Sequence, residues 1–432
     1  MELREDLLYH IWQYWLFELP LLDLDDVPVE LVDPGQLNRD SGPDFFNAMF
    51  RSDNILWAGN VEIHKKASEW YQHGHHMDRA FDNVILHVVL DPDCQVLNSR
   101  GREIRTVQMQ IPAAIRMRYE LLMENPDLIP CWRNLHSIDE TRMKLWLERL
   151  LVERLEERIS KILIEYKRCN GNWDEVLYSS MARAFGQRVN ADPFEMLSRS
   201  VSLEQIMEHC PDLISKEAIL FGQAGMLDSN PATESNPDPY YSELYQRYGV
   251  LKRKMDLQSI DGFLWKYLRL RPDNFPTIRI SQLACSLEKN PDMFSRLVDQ
   301  PDPLDMVLKM EIRASEYWTS HYRFNRKSPE RGKCMGKHRI TGLYINAIMP
   351  VILAYRRHIG RPPDLDDFIC SKHRIPAEDN RIIRMWKSLG LEVPDVFYSQ
   401  ALLQLTNKYC KFKTCLSCYV GSQIIQSPGA KK

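Results

Sequence analysis

Between Pro34 and His87 the chain concentrates acids, amides and imidazoles among segments of strand texture: PGQLNRDSGPDFFNA at 34–48, then WAGNVEIHKKASEWYQHGHHMDRAFDNVILHVV at 57–89. Asp44 follows Pro43 at the start of one strand, and Glu62 stands inside the next, Gly59–Lys65. Side chains alternate faces along a strand, so Asn60, Glu62 and His64 share one face and Val61, Ile63 and Lys65 the other. Asp44, on a neighbouring strand, reaches the face of Glu62. Two carboxylates converging at a strand edge suit Mg²⁺ or Mn²⁺, hard cations that take oxygen ligands, water and phosphate. The carbonyl of Ile63 is a further ligand candidate, and His64 or Lys65 a group to activate water. His73, His75 and His76 crowd four residues; such a tract binds Zn²⁺, touches phosphate, or is simply a solvated loop. His87, inside the apolar run 84–90, reads as a neutral, hydrogen-bonded core histidine.

Pro43-Asp44, the Glu62-Ile63-His64 tripeptide on the next strand and the buried strand that follows resemble the PD-(D/E)xK nuclease superfamily. The resemblance covers residues 1–112. It implies a restriction-endonuclease-like mixed sheet flanked by helices, with a leading helix able to contribute an acid. It implies that Asp44 and Glu62 hold the metal. The residue two after Glu62 would orient the attacking water. That position is His64, not lysine; Lys65 is next to it but on the other face unless a bulge intervenes.

The elements around these residues follow from periodicity. Leu7, Leu8, Ile11, Trp12, Trp15 and Leu16 give one apolar helical face over residues 1–20. Strand texture falls at 45–50, 55–65, 83–90 and 106–111, punctuated by Pro34-Gly35, Ser41-Gly42-Pro43 and Asp91-Pro92-Asp93. The nearly unbroken apolar run at 84–90 predicts a central strand covered on both faces. After Pro112 the strand signal fades. A long helix is expected over 144–166, then helices at 174–187, 193–200, 203–209, 216–227, 240–254, 278–287, 304–318, 341–357, 365–371, 377–387 and 397–409. The expected organisation is an α/β domain at 1–112 followed by a larger, mostly α-helical domain at 113–432. The polar stretch 228–238 reads as a loop.

The helical part carries two further signals. Cys410-x4-Cys415-x2-Cys418 offers three local thiols to Zn²⁺ or an iron–sulfur cluster. Cys370, Cys334, Cys131 or a histidine is the open choice for a fourth ligand. The loop Arg323 to Arg339 holds Arg323, Arg326, Lys327, Arg331, Lys333, Lys337 and Arg339 against Glu330 alone. Gly332 and Gly336 would let its backbone approach a phosphate. Lysine and arginine contacts to phosphate dominate nucleic-acid affinity, so this loop is the candidate grip on DNA or RNA. Arg279 and Gln282 either face a ligand or cap a neighbouring element.

Composition bounds what these groups do together. Of 432 residues, 44% are hydrophobic and 27% charged, which excludes a disordered, collagen-like or coiled-coil chain. A net charge of -3 provides no global field towards nucleic acid, so such binding must be local. The acids of the first helix argue against a secretory signal, and no run reaches the ~18 apolar residues of a spanning helix. A cytoplasmic protein without membrane association is expected, its ten cysteines serving as thiols or metal ligands. Taken whole, the chain resembles an uncharacterised bacterial family catalogued as domain of unknown function 2851, through the two segments quoted above, RPDNFPTIRISQLA at 271–284 and the closing cysteines. That family implies no activity. The leading expectation is a metal-dependent nuclease. The alternatives are a non-catalytic nucleic-acid-binding protein with a degenerate nuclease fold, and a protein-interaction scaffold.

Overall fold

A computed structural model describes residues 3–233, 238–361 and 375–427. An N-terminal mixed sheet with flanking helices is followed by a mostly helical region. The chain divides into two compact units, residues 1–151 with 377–432, and residues 152–376. The end of strand texture at 112 falls inside the first unit. Among the described residues, no helix is long and apolar enough to cross a membrane.

The first unit opens with helix α1 (Glu5–Gln13), which buries Leu7, Leu8, Ile11 and Trp12 completely. The apolar pattern continues to Leu16, but the helix does not. Trp15 adopts the left-handed region at φ 56° and is exposed, so the chain turns there. The Trp12 indole is tied to the carbonyl of Pro34 at 3.0 Å.

The sheet contains β1 (Glu30–Asp33), β2 (Gln36–Leu37), β3 (Phe45–Ser52), β4 (Ile55–Lys66), β5 (Val84–Asp91) and β6 (Thr106–Gln108). Its order is β1-β3-β4-β5-β6, with β2 also on β3. The pairs β1–β3, β2–β3 and β3–β4 are antiparallel, and β4–β5 and β5–β6 parallel. β5 is therefore interior, as its apolar run predicts, and Leu86, Val88 and Val89 are fully buried. β4 changes character along its length: Ile55–Trp57 are exposed and Gly59–His64 buried. Helices α1 and α2 (Glu69–Gln72) both pack on β4. Its polar side chains are thereby sealed inside.

α3 (Ala113–Glu124), without an expected counterpart, and α4 (Glu140–Arg168) follow. The C-terminal segment returns to the first unit with helices at Arg381–Ser388, Val396–Gln404 and Tyr419–Gln426. It is fastened to α3: Arg118 donates to the carbonyl of Ile425 at 2.8 Å and Lys413 to that of Met123 at 2.6 Å.

The second unit is built of helices, among them Trp173–Phe185, Ala191–Ser200, Leu213–Gln223, Pro239–Lys254 and Pro276–Lys289, with one small hairpin, His321–Arg323 against Arg326–Lys327. The helix expected at 304–318 is only Pro303–Leu308 plus a 3-10 turn at Glu316–Thr319. Between them Ile312 and Ala314 exchange backbone hydrogen bonds with Met335 and Lys333, and that pairing extends the chain. The helix expected at 365–371 lies outside the described residues.

Candidate metal centre

Asp44 is the residue before β3. Because β3 and β4 run antiparallel, the start of one lies beside the end of the other. A bulge sits at the junction: the register slips between Phe45 and Ala48, and Asn47 takes φ 58°. The two acids are interlocked through backbone amides. The Asp44 N–H donates to Glu62 Oε2 at 3.0 Å, and the Ile63 N–H to Asp44 Oδ2 at 2.9 Å. The Tyr9 hydroxyl of α1 also donates to Asp44, and Glu5, one turn earlier, adds negative charge. Burial and the Glu62 carboxylate push Asp44 up to about 7.

The face of β4 that carries the Glu62 side chain also holds a cluster of imidazoles. The β4–β5 register sets Glu62 opposite His87 after a slip between Asn60 and Val61, so Glu62, His64 and His87 share one face. His64 Nδ1 lies 2.9 Å from His87 Nε2, and His64 Nε2 lies 3.2 Å from His73 Nδ1. Burial, then the neighbouring histidines, holds His64 down at about 2; burial and His75 hold His87 at about 3. Both are neutral at ordinary pH, the form in which imidazole ligates metals. The loop after α2 supplies His73 and His75, the latter stacked on Phe81 at 3.8 Å. His87 is buried, as expected of a core histidine, with His64 as its partner. His76 packs on Tyr71 and stays outside the cluster.

Ligand atoms of His64, His73 and His75 all lie within 4.8 Å of one another. Glu62 Oε1 is 3.2 Å from His75 Nε2 and 3.6 Å from His64 Nε2. Yet His75 Nε2 closes no hydrogen bond. Ligand atoms at ~2.1 Å from one ion stand about 3.0–3.5 Å apart, depending on geometry. The orphaned His75 Nε2 and the spacing of the three imidazoles fit a metal ion, with Glu62 Oε1 close enough to two of them to add a carboxylate. Three imidazoles and a carboxylate favour a transition ion over Mg²⁺. Lys65 has its amide on Glu69 Oε2 at 2.9 Å and follows His64 without a bulge, so the strand directs it to the other face.

The family described as "Protein of unknown function (DUF2851)" matches residues 5–381. The chain belongs to that family. No curated protein and no solved structure matches it. The family match contains Asp44, Glu62 and all the histidines of the cluster, whereas Cys410, Cys415 and Cys418 lie beyond it.

The basic loop of the second unit divides by environment. Arg326 and Lys327 form the exposed return strand of the hairpin, and Lys337 is exposed at the start of the helix Lys337–Leu343. Arg323 is exposed but lies over the rings of Tyr267 and Phe275, 4.4 and 5.3 Å from their centroids. Arg331 approaches Asp273 at 3.8 Å. Lys333 is buried instead of facing solvent: its ammonium donates to the carbonyls of Thr319 and Arg331 and lies over Tyr322. Arg339 is half-buried, and in the amide orientation that satisfies both, Gln187 accepts from Arg339 and Arg279. Arg279 also donates to Gln282 and Asn274 at 2.7 Å, so Arg279 and Gln282 bind one another.

Proposed function

We propose that this chain is a metal-dependent hydrolase of phosphodiester bonds in DNA or RNA. The observation that carries the reading is the convergence of Glu62, His64, His73 and His75 beside Asp44, an acid near neutrality. A bound ion such as Mn²⁺ would polarise a phosphoryl oxygen and make a water easier to ionise. The residues supply the rest. Glu62 and the imidazoles hold the ion, Asp44 accepts the proton of the attacking water, and Tyr9 and the Ile63 amide fix the Asp44 carboxylate. The antiparallel hairpin with an acid at the start of β3 and one late in β4, a parallel third strand and a leading helix with Glu5 and Tyr9 support a restriction-endonuclease-like reading of the sheet. Neutral His64 departs from the lysine of that pattern, so the water is activated by Asp44 in this reading. Arg326, Lys327 and Lys337 are the exposed cations suited to phosphate.

The test is a cleavage panel on single- and double-stranded DNA and RNA with Mn²⁺, Zn²⁺, Mg²⁺ or EDTA. Cutting with Mn²⁺ exceeding that with Mg²⁺, and lost by at least ~100-fold in Asp44→Asn and Glu62→Gln, is expected. Cleavage unchanged by both substitutions overturns the site. A second reading, a non-catalytic nucleic-acid binder, is favoured by the uncharged His64; it predicts salt-dependent binding without turnover.

A further inference from the structure

Four cysteines of the first unit meet in its interior. Cys131 precedes the 3-10 turn Trp132–Ser137, Cys410 ends the π-turn Leu405–Cys410, Cys415 opens a 3-10 turn, and Cys418 caps the helix Tyr419–Gln426. Each is no more than 7% exposed. Cys410 feels the charges of Cys418, Cys131 and Cys415, and Cys131 those of Cys418 and Cys415. The open choice of a fourth partner to the C-terminal trio thus falls on Cys131, 279 positions before Cys410 in the chain (410 minus 131). Cys334 is exposed, and Cys370 lies outside the described residues.

The surroundings bring the thiols together and aim N–H donors at one of them. The helix Tyr419–Gln426 closes directly on Cys415: a Cβ at Gly421 would lie 2.2 Å from the Cys415 carbonyl oxygen. The amides of Val420 and Gly421 and the indole N–H of Trp146 are directed at Cys418. That indole belongs to a side chain 7% exposed and closes no hydrogen bond of its own. A buried N–H aimed at sulfur without a partner suits a sulfur carrying negative charge. Without a cation the four thiols oppose one another. Burial first, then the neighbouring sulfurs, pushes Cys131 up to about 12 and Cys415 to about 11 and raises Cys410, while burial alone raises Cys418. A thiophilic metal removes that penalty, because each sulfur ligates as thiolate.

We propose that Cys131, Cys410, Cys415 and Cys418 form a four-thiolate metal site, and that its occupant is an iron–sulfur cluster. Spacing argues for the cluster. A single tetrahedral zinc with ~2.3 Å bonds would set its sulfurs about 3.8 Å apart. Among the described residues no three of these sulfurs lie within 4.8 Å of one another, as the ligand atoms of His64, His73 and His75 do. A cluster with one thiolate per iron holds its cysteines further apart. The site stands independently of the hydrolase reading. It also neighbours it: α1 packs both on β4 and on the Cys415–Ser417 turn.

The full chain, purified without oxygen, would be assayed for iron, acid-labile sulfide and zinc, with Cys131→Ser, Cys415→Ser and the exposed control Cys334→Ser alongside. Iron and sulfide in equal amounts, with visible absorption that bleaches on reduction, are expected in the wild type and Cys334→Ser. Both should be lost in the other two variants. One zinc per chain, lost in the same variants, would confirm the four-thiolate site and overturn the cluster. No metal after reconstitution with either, or full loading of Cys131→Ser, overturns the site. Should Cys131→Ser not fold, alkylation of the wild type decides. The four thiols should be protected together until a chelator is added; protection of the C-terminal trio without Cys131 overturns the proposal.

Discussion

Imidazoles packed out of water ionise only at a cost that folding must meet, and this determines how the metal-free protein responds to acid. His64 is held at about 2 and His87 at about 3, chiefly by burial, against an ordinary 6.5. Below pH 6.5 the unfolded chain takes up protons that the folded imidazoles refuse, so stability falls as the pH falls. Between pH 6.5 and 5 this amounts to about 2 kcal/mol for each ring. Asp44 runs the other way. Raised to about 7, it keeps a proton in the folded state that the unfolded carboxyl releases, so acidification from pH 7 towards 4 stabilises, offsetting roughly one ring. Urea titrations of the metal-free protein should show stability falling from pH 6.5 to 5, with His10, held at about 4 by burial, adding to the loss. His87→Gln should lessen that fall by about 2 kcal/mol. A second residue-scale prediction concerns His75, half-buried in the loop beside Glu62. His75→Ala should weaken Mn²⁺ binding by at least ~10-fold in calorimetry while the far-ultraviolet spectrum stays unchanged.

At the scale of elements, the site depends on how the chain enters β3 and on what α1 brings to it. Gly35 lies at φ 85° between β1 and β2, and a Cβ there would be 2.5 Å from the carbonyl oxygen of Phe46. After that turn Asn38 collects the loop: its amide donates to the carbonyls of Asp40, Ser41 and Pro43, and its N–H to that of Asp44. Gly35→Ala should cost about 2–3 kcal/mol in denaturant unfolding and weaken the metal site with it, because strain and clash act on the segment that places Asp44. α1 contributes Tyr9, whose hydroxyl favours the ionised Asp44. Tyr9→Phe should therefore move the acidic limb of the pH–rate profile upward, with metal content unchanged. The alternation along β4 and the apolar run of β5 made these strands legible in sequence. The slip between Asn60 and Val61 was not legible, and it sets which β5 residue meets Glu62.

Across the whole molecule, the loop Arg323 to Arg339 combines two kinds of cation that composition cannot separate. Arg326→Glu with Lys327→Glu should weaken nucleic-acid binding at least ~10-fold and flatten its salt dependence, leaving unfolding unchanged. Lys333→Ala should instead lower stability by about 1–3 kcal/mol, because the carbonyls of Thr319 and Arg331 lose the ammonium and the buried side chain loses its packing over Tyr322. Fluorescence anisotropy across a salt series and chemical unfolding separate the two effects.

By itself the sequence determined the strands and most helices, because apolar periodicity is local. It also singled out Asp44, Glu62 and His64 as one candidate site, since side-chain alternation follows from backbone geometry. Tertiary structure decided the rest through contacts between distant positions. From a loop that reads as solvated it drew His75 onto Glu62 and set the still exposed His73 beside His64, and it gave His87 its partner in His64. It turned Lys333 inward. It also brought Cys131 to Cys410, Cys415 and Cys418. Spacing along a chain measures no distance between segments that meet only when a core forms, and burial, which sets the charge state of these groups, exists only once they have met.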